Sequence, residues 1–114
     1  MKTYIQALDL KDDPDLINEY KQLHQDVWPE VTESLRAVGV LDMKIYSVGN
    51  RLVMLLTVED HYEPDDAFQE YLKRDPACVR WEETMERFQQ RLPGTPADQK
   101  WVPMTLCFDL ADYP

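Results

Sequence analysis

Basic residues and glycines are scarce in this chain of 114 residues. Twelve lysines and arginines stand against 22 aspartates and glutamates, which gives a formal net charge of -10. A surface of that sign repels the phosphates of nucleic acids and of anionic membranes, so we expect neither as a partner. With only three glycines, the chain also lacks the glycine-rich loop that binds nucleotide phosphates.

Cysteines and metal-ligand patterns are equally scarce. Cys78 and Cys107 lie far apart without a CxxC motif, so we expect two free thiols and no zinc site. The acidic loop after Glu59 lacks the EF-hand pattern, and the motifs GxSxG and HExxH are absent. These absences argue against hydrolase, nucleotide-dependent and metalloprotease chemistry, and we expect neither a metal nor a cofactor.

Long hydrophobic runs are also missing. No stretch approaches the roughly 18 apolar residues that cross a bilayer, and the N-terminus has no apolar segment of signal-peptide length. We therefore expect a cytoplasmic protein. The length suits a single domain over residues 1–114, and a hydrophobic content of 44% is enough to build a core.

What the sequence does contain is a pattern of strands and helices. The pair Asp13-Pro14 predicts the start of a helix that kinks near Pro29 and stops at Gly39. The pair Gly49-Asn50 permits the positive φ angles of a tight hairpin. The predicted order is a strand over 3–10, a helix over 14–38, a hairpin of strands 43–48 and 51–59, helices over 66–75 and 77–92, and a strand over 102–110. In the last helix, core-like spacing falls on Val79, Met85, Phe88 and Leu92.

This βαββαβ order predicts a ferredoxin-like α+β domain, with a four-stranded antiparallel sheet covered by helices on one face. The segment LVMLLTV, in the third strand, is apolar on both faces, although helices can cover only one of them. The other face must then be buried by a second subunit, by a ligand pocket or by both. We predict a homodimer in which the two sheets bury each other's open faces.

A histidine near the middle of the first helix is the first candidate for chemistry. Tyr20 precedes His24 by one turn and Trp28 follows it by one turn, so a continuous helix presents all three on one face. Their side chains offer hydrogen bonding, proton transfer and a flat apolar surface, a set that suits a sugar. A lone helical histidine is more often just a partly buried side chain, and the spacing alone leaves both interpretations open.

The other aromatic residues leave a similar choice. Trp81, between Arg80 and Glu82, is either a core tryptophan or a platform on which a ring stacks. Trp101 belongs equally well to the core or to a lid. His61 lies in a polar loop and is expected in solvent.

The pattern YxxxHxxxWPE, from Tyr20 to Glu30, resembles the signature of the L-rhamnose mutarotase family. The resemblance extends over nearly the whole chain and is strongest to the branch labelled L-fucose mutarotase. The segments that carry it are LDLKDDPDLINEY, VLDMKIYSVGNRL, WEETMERFQQRLPG and KWVPM.

The resemblance implies a dimeric ferredoxin-like α/β-barrel enzyme, an isomerase that interconverts the α and β anomers of a 6-deoxy-hexose. It also implies that His24 is the proton donor and that Tyr20 and Trp81 contact the monosaccharide. Two positions depart from the rhamnose-type pattern, with Glu82 in place of a second tryptophan and Met43 in place of a tyrosine. Both departures fall at substrate-contacting places and favour L-fucose over L-rhamnose.

Anomer exchange is chemistry that these residues can perform. Ring opening needs a proton for the ring oxygen and the removal of one from the anomeric hydroxyl, and a histidine exchanges protons near neutral pH. Two alternatives stay open. A cofactor-independent monooxygenase would need an oxidisable aromatic substrate and an apolar cavity, whereas a ligand-binding module of the same fold would bind a sugar without changing its exchange rate.

Overall fold

The computed structural model describes residues 1–96 and 98–114. Within these residues the chain forms five strands, four helices and one 3-10 turn. In order they are β1 (Lys2–Leu10), α1 (Pro14–Leu23), α2 (Pro29–Ala37), β2 (Val40–Val48), β3 (Arg51–Val58), α3 (Pro64–Arg74), α4 (Pro76–Glu86), β4 (Gln89–Gln90), β5 (Val102–Pro103) and the 3-10 turn Leu110–Asp112.

Each of these four helices begins at a proline. Proline suits the first helical position because its φ angle is already helical and the amide hydrogen that it lacks would have no partner there. The predicted cap of α1 is confirmed, since the Asp13 carboxylate accepts hydrogen bonds from the backbone N–H groups of Asp15 and Leu16. Asp75 caps α4 in the same way, accepting from the N–H of Ala77.

The prediction of one kinked helix over 14–38 is wrong. α1 ends at Leu23, residues 24–28 are not helical, and α2 starts afresh at Pro29. Proline inside a helix removes one backbone hydrogen bond and clashes with the carbonyl four residues earlier, so the chain breaks here instead of bending. The predicted stop of the helix at Gly39 is confirmed. The backbone φ angle of Gly39 is 108°, a value that residues with a side chain rarely adopt.

The strands form a sheet in the order β2-β3-β1-β4, with β5 also paired to β1. Every pairing is antiparallel, and the predicted hairpin around Gly49 is confirmed. The order is that of the ferredoxin-like fold, so the predicted fold class is confirmed. The barrel that the resemblance implied is not formed, because the sheet of the single chain is open.

The predicted final strand over 102–110 is wrong beyond its first two residues. Only Val102–Pro103 pairs with β1, and Met104 adds one hydrogen bond from its N–H to the Ile5 carbonyl. The following tail, residues 105–114, carries only local backbone hydrogen bonds, and its apolar side chains are exposed; Leu106, for instance, is 75% exposed. A strand needs a neighbour for its backbone groups, and the alternating pattern of the tail meets none within the described chain.

The core lies between the helices and one face of the sheet. Leu8, Leu52, Met54 and Leu56 are buried on this helix face. The opposite face, which we call the open face, carries Ile5, Tyr46 and Val48, which are 42%, 57% and 76% exposed. The uncovered apolar face is therefore confirmed as a feature of the single chain.

The end of α4 differs from its prediction in a way that shapes the core. The helix stops at Glu86, so Phe88, which is buried, follows it in the turn toward β4. Met85 is buried as predicted, whereas Val79 is exposed and the prediction that it belongs to the core is wrong.

None of the helices in residues 1–96 and 98–114 is long and apolar enough to cross a membrane.

Candidate functional site

A cavity of about 560 Å³ opens between the helices and the helix face of the sheet. Its wall is apolar on the side of β2 and β3, where Met43, Ile45 and Met54 contribute side chains. Most of its polar groups come from the other elements. The residues that the following paragraphs use are Tyr20, His24, Tyr71, Trp81, Glu82, Gln89 and Trp101.

His24 caps the C-terminal end of α1 and lines this cavity. Its backbone N–H donates to the Tyr20 carbonyl at 3.3 Å, and its ring Nδ1 lies 2.8 Å from the same oxygen. A carbonyl oxygen can only accept, so Nδ1 carries a hydrogen. Among the described residues Nε2 has no hydrogen-bond partner, and it is therefore the nitrogen left to exchange a proton with a ligand.

The imidazole is held between two aromatic rings. The Tyr20 ring centroid lies 4.3 Å from that of His24, and the Trp81 indole meets the imidazole edge-on at 5.4 Å. Trp81 is in turn supported by Trp28, whose ring lies 5.2 Å away, again edge-on. These contacts fix the plane of the imidazole and leave little freedom for its side chain.

Trp28 does not share a helix face with Tyr20 and His24 as predicted. It precedes α2, outside both helices, and it packs against Trp81 without lining the cavity. Trp81 is 6% exposed and belongs to the core, as one of its two interpretations predicted, and it also forms part of the cavity wall. Its role as a stacking platform stays a prediction. Because the helix breaks before Pro29, the aromatic cluster is formed by α1, α4 and the segment that precedes α2, and not by one face of a single helix.

Two buried tyrosines supply neutral hydroxyl groups. Burial, together with the nearby charge of Glu82, raises the pKa of Tyr20 to about 12, against a smaller lowering by the hydrogen bond with Gln89. Burial also raises the pKa of Tyr71 well above its usual value, and the Glu82 carboxylate adds to the effect. Both phenols therefore stay protonated near neutral pH and can act as hydrogen-bond donors.

Glu82 is the charged group of the cavity wall that α4 contributes. Its Oε2 lies 3.4 Å from the Lys100 ammonium, which also lies 3.3 Å from Glu86. Glu82 and Lys100 are each more than 70% buried as side chains, whereas Glu86 is half exposed. Lys100 thus balances the charge of a largely buried carboxylate.

The structure brings all three predicted site residues, Tyr20, His24 and Trp81, to one cavity. It also places the two departures from the rhamnose-type pattern there, since Glu82 and Met43 both line the wall. Trp101, for which core and lid were equally open, packs against the core and lines the cavity at once. His61 is exposed in its loop, as predicted.

Sequence reasoning missed Tyr71, Gln89 and Lys100. Tyr71 lies on α3, where an aromatic residue in an amphipathic helix gives no sign of a site. Gln89 was assigned to a helix but lies in β4, and Lys100 belongs to a loop. No group of three or more His, Cys, Asp or Glu residues that could hold a metal ion occurs in the described part of the chain.

Comparison with known proteins gives this cavity a family context. The family profile described as L-rhamnose mutarotase matches residues 3–110. The chain belongs to the L-rhamnose mutarotase family. Relatives are named L-fucose mutarotase and L-rhamnose mutarotase, so the predicted class of carbohydrate isomerase is confirmed at the level of the family.

Individual relatives of this mutarotase-family chain support the same assignment. An L-fucose mutarotase of Xanthomonas campestris pv. campestris is 40% identical over 114 residues, covering 98% of this chain and 90% of that protein. An L-rhamnose mutarotase of Burkholderia ambifaria is 30% identical over 94 residues, covering 80% and 86%. The solved L-rhamnose mutarotase of Formosa agariphila superposes with a TM-score of 0.67 at 19% identity, covering 96% and 99%.

The fold itself is shared more widely than the family. The tetracenomycin F2 cyclase of Streptomyces glaucescens, a type II polyketide cyclase, superposes with a TM-score of 0.61 at 10% identity, covering 96% of this chain and 98% of that one. At this level of identity the likeness concerns the fold alone. The chemistry of the mutarotase-family chain must therefore be argued from its own cavity residues.

We predict that the neutral ring of His24 exists as a single tautomer, with hydrogen on Nδ1, because the Tyr20 carbonyl accepts that hydrogen. Long-range ¹⁵N–¹H NMR spectra, recorded at a pH where imidazole is neutral, report which nitrogen is protonated. His61, which is exposed and makes a contact to Glu59 through Nε2, serves as the internal comparison. A His24 ring that is protonated mainly on Nε2 would contradict the geometry.

Proposed function

We propose that this protein interconverts the α and β anomers of a 6-deoxy-hexose, with L-fucose preferred over L-rhamnose, and that His24 exchanges the protons. The observation that carries this proposal is the fixed imidazole. Nδ1 is hydrogen-bonded to the Tyr20 carbonyl, and Nε2 has no partner in residues 1–96 and 98–114 of a chain whose His24 lines the cavity. The family assignment supports a sugar mutarotase, and the L-fucose mutarotase of Xanthomonas campestris pv. campestris supports this choice of sugar.

The reaction needs two proton transfers. In the opening step, protonated Nε2 of His24 donates its proton to the ring oxygen while the anomeric hydroxyl loses its proton to a water molecule. The bond from C1 to the ring oxygen breaks and C1 becomes an aldehyde. After rotation about the bond between C1 and C2, closure on the other face of the carbonyl returns both protons and gives the other anomer.

The cavity offers a suitable surface for each part of a 6-deoxy-hexose. Trp81 and the apolar side chains of β2 and β3 suit the methyl group and the C–H faces of the ring. The neutral phenols of Tyr20 and Tyr71, with the Glu82 carboxylate, suit its hydroxyl groups. Where the rhamnose-type pattern has the indole of a second tryptophan, this chain has Glu82, a hydrogen-bond acceptor. This difference is the reason for proposing a preference for L-fucose.

We also propose that the protein is a homodimer in which the open faces of two sheets cover each other. The open face presents Ile5, Tyr46 and Val48 to solvent in the single chain. The tail, residues 105–114, follows β5 along the chain and adds the exposed side chains of Leu106 and Phe108. Exposed apolar surface of this kind is typical of an interface between proteins.

The central test of the function is the rate of anomer exchange. Saturation-transfer NMR on L-fucose should show exchange accelerated by catalytic amounts of protein, and more weakly so on L-rhamnose. The change of His24→Ala should lower the rate by roughly 10²-fold or more, the range for loss of a general acid–base group. His61→Ala, outside the cavity, is the matched control. A folded His24→Ala protein with full activity would remove this histidine from the mechanism.

A second experiment tests the preference between the sugars. Glu82→Gln should lower the exchange of L-fucose by about tenfold, because the sugar hydroxyl then meets a neutral instead of a charged acceptor, and should affect L-rhamnose less. Glu86→Gln is the control, since Glu86 shares the Lys100 partner but does not line the cavity. Equal losses on both sugars would show that Glu82 does not set the preference.

The proposed dimer has its own test. Light scattering at micromolar concentration should give twice the chain mass of 13.5 kDa, and Ile5→Lys should shift the protein to the monomer because it places a charge on the open face. Val79→Lys is the control, because Val79 is exposed to a similar extent but lies on α4. An unmodified protein that is monomeric at this concentration would contradict the dimer.

A further inference from the structure

One buried side-chain polar atom in the described part of the chain has no hydrogen-bond partner, and its residue lines the cavity. It is Oε1 of Gln89. The residue is 7% exposed, and it lies in β4 next to β1, where its Cα is paired with that of Leu10. A buried carbonyl oxygen without a partner is costly and rare, so each instance calls for an explanation.

The position of Gln89 is fixed by its surroundings. The residue before it, Phe88, is among the most deeply buried side chains, and the Phe88 carbonyl accepts from the N–H of Lys11. The pairing of β4 with β1 directs Gln89 to the helix face and its neighbour Gln90 to the open face. The Gln89 carboxamide therefore cannot turn to solvent, and the cavity is the space that borders it.

Tyr20 lines the same cavity as Gln89, and the Gln89 side chain acts on the Tyr20 phenol in the direction that lowers its pKa. A protonated phenol can donate a hydrogen bond, and Gln89 Oε1 is an acceptor without a partner among the described residues. Two adjacent buried groups thus offer one donor and one acceptor, which is what a sugar hydroxyl needs, since it can accept from one partner and donate to the other.

We infer that Gln89 is a further substrate-binding and specificity-determining residue of this cavity, whose carboxamide oxygen accepts a hydrogen bond from one sugar hydroxyl that Tyr20 also contacts. The inference rests on the proposed function for the class of ligand. No described protein group pairs with this oxygen, so a sugar hydroxyl in the cavity can serve as its donor without displacing a hydrogen bond within the protein.

The test is the change Gln89→Met, which keeps the length of the side chain and removes both polar atoms. Its melting temperature without sugar should equal or exceed that of the unmodified protein, while its Kd for L-fucose, measured by NMR titration, should rise about tenfold, the value of one lost hydrogen bond. Gln90→Met, the same change on the opposite face of the sheet, should leave the Kd unchanged. An unchanged Kd for Gln89→Met would overturn the inference.

L-Fucose analogues that lack the hydroxyl at C2, C3 or C4 identify the group involved. The unmodified protein should lose affinity for the analogue without the contacted hydroxyl, and Gln89→Met should bind that analogue as well as it binds L-fucose. Equal losses of affinity for every analogue on both proteins would contradict a direct contact, because independent changes add.

A third measurement avoids any variant, in case Gln89→Met fails to fold. In the unmodified protein labelled with ¹⁵N, saturating L-fucose should shift the side-chain amide resonances of Gln89 and leave those of Gln90 in place; no shift at Gln89 would overturn the inference. The two proposals fail in different ways. Protein that binds L-fucose without accelerating exchange contradicts the mutarotase proposal, whereas normal exchange with normal affinity in Gln89→Met contradicts only the role of Gln89.

Discussion

The missing amide hydrogen of Pro29 is the constraint on which the site depends. A continuous helix would require that hydrogen to bind the Gln25 carbonyl, and the proline ring would clash with the same carbonyl. The chain therefore leaves the helix after Leu23, and the Tyr20 carbonyl, near the free end of α1, accepts from both the backbone and the ring of His24. A carbonyl in the last turn of a helix thus holds an imidazole as well as a backbone N–H group.

The same break lets aromatic residues surround the histidine from more than one direction. On an unbroken helix, Tyr20, His24 and Trp28 would stack along one face at successive turns. In the folded chain Trp28 instead supports Trp81, and Trp81 meets the imidazole edge-on. The imidazole is thus packed between groups from α1 and α4, which makes its orientation a property of the tertiary structure and not of a single helix.

The parts of the fold that follow from local signals were predictable. Asp13 with Pro14, Gly39 and Gly49 each mark a boundary by their own backbone chemistry, and the antiparallel order follows from the pattern between them. The sharpness of the break at Pro29 was not predictable, because a proline can kink a helix or end it, and packing decides between the two. The short strand β4 was hidden for a similar reason, since Phe88 and Leu92, on either side of it, continue the apparent spacing of the preceding helix.

The residues of the candidate site also divide into those that sequence signals reveal and those that only the tertiary structure brings together. His24, Tyr20 and Trp81 are visible as motif residues, and their convergence could be anticipated from the family resemblance. Tyr71, Gln89 and Lys100 come from three other segments, and only the assembled sheet and helices bring them to the cavity. The alternation of the tail predicted a strand, but the pattern of a strand says nothing about whether its neighbour lies in the same chain.

The split of the sheet edge into β4 and β5 has a consequence for how the chain can vary. Both short strands are paired to β1, at Leu10 and Asp9 for one and at Ala7 and Gln6 for the other. The connection between them is thus anchored at each end, and Trp101 enters the cavity next to the second anchor. Closing a longer loop costs little extra free energy. Residues could therefore be added to or removed from the middle of this connection while β4 and β5 keep their register with β1 and the cavity wall keeps its shape.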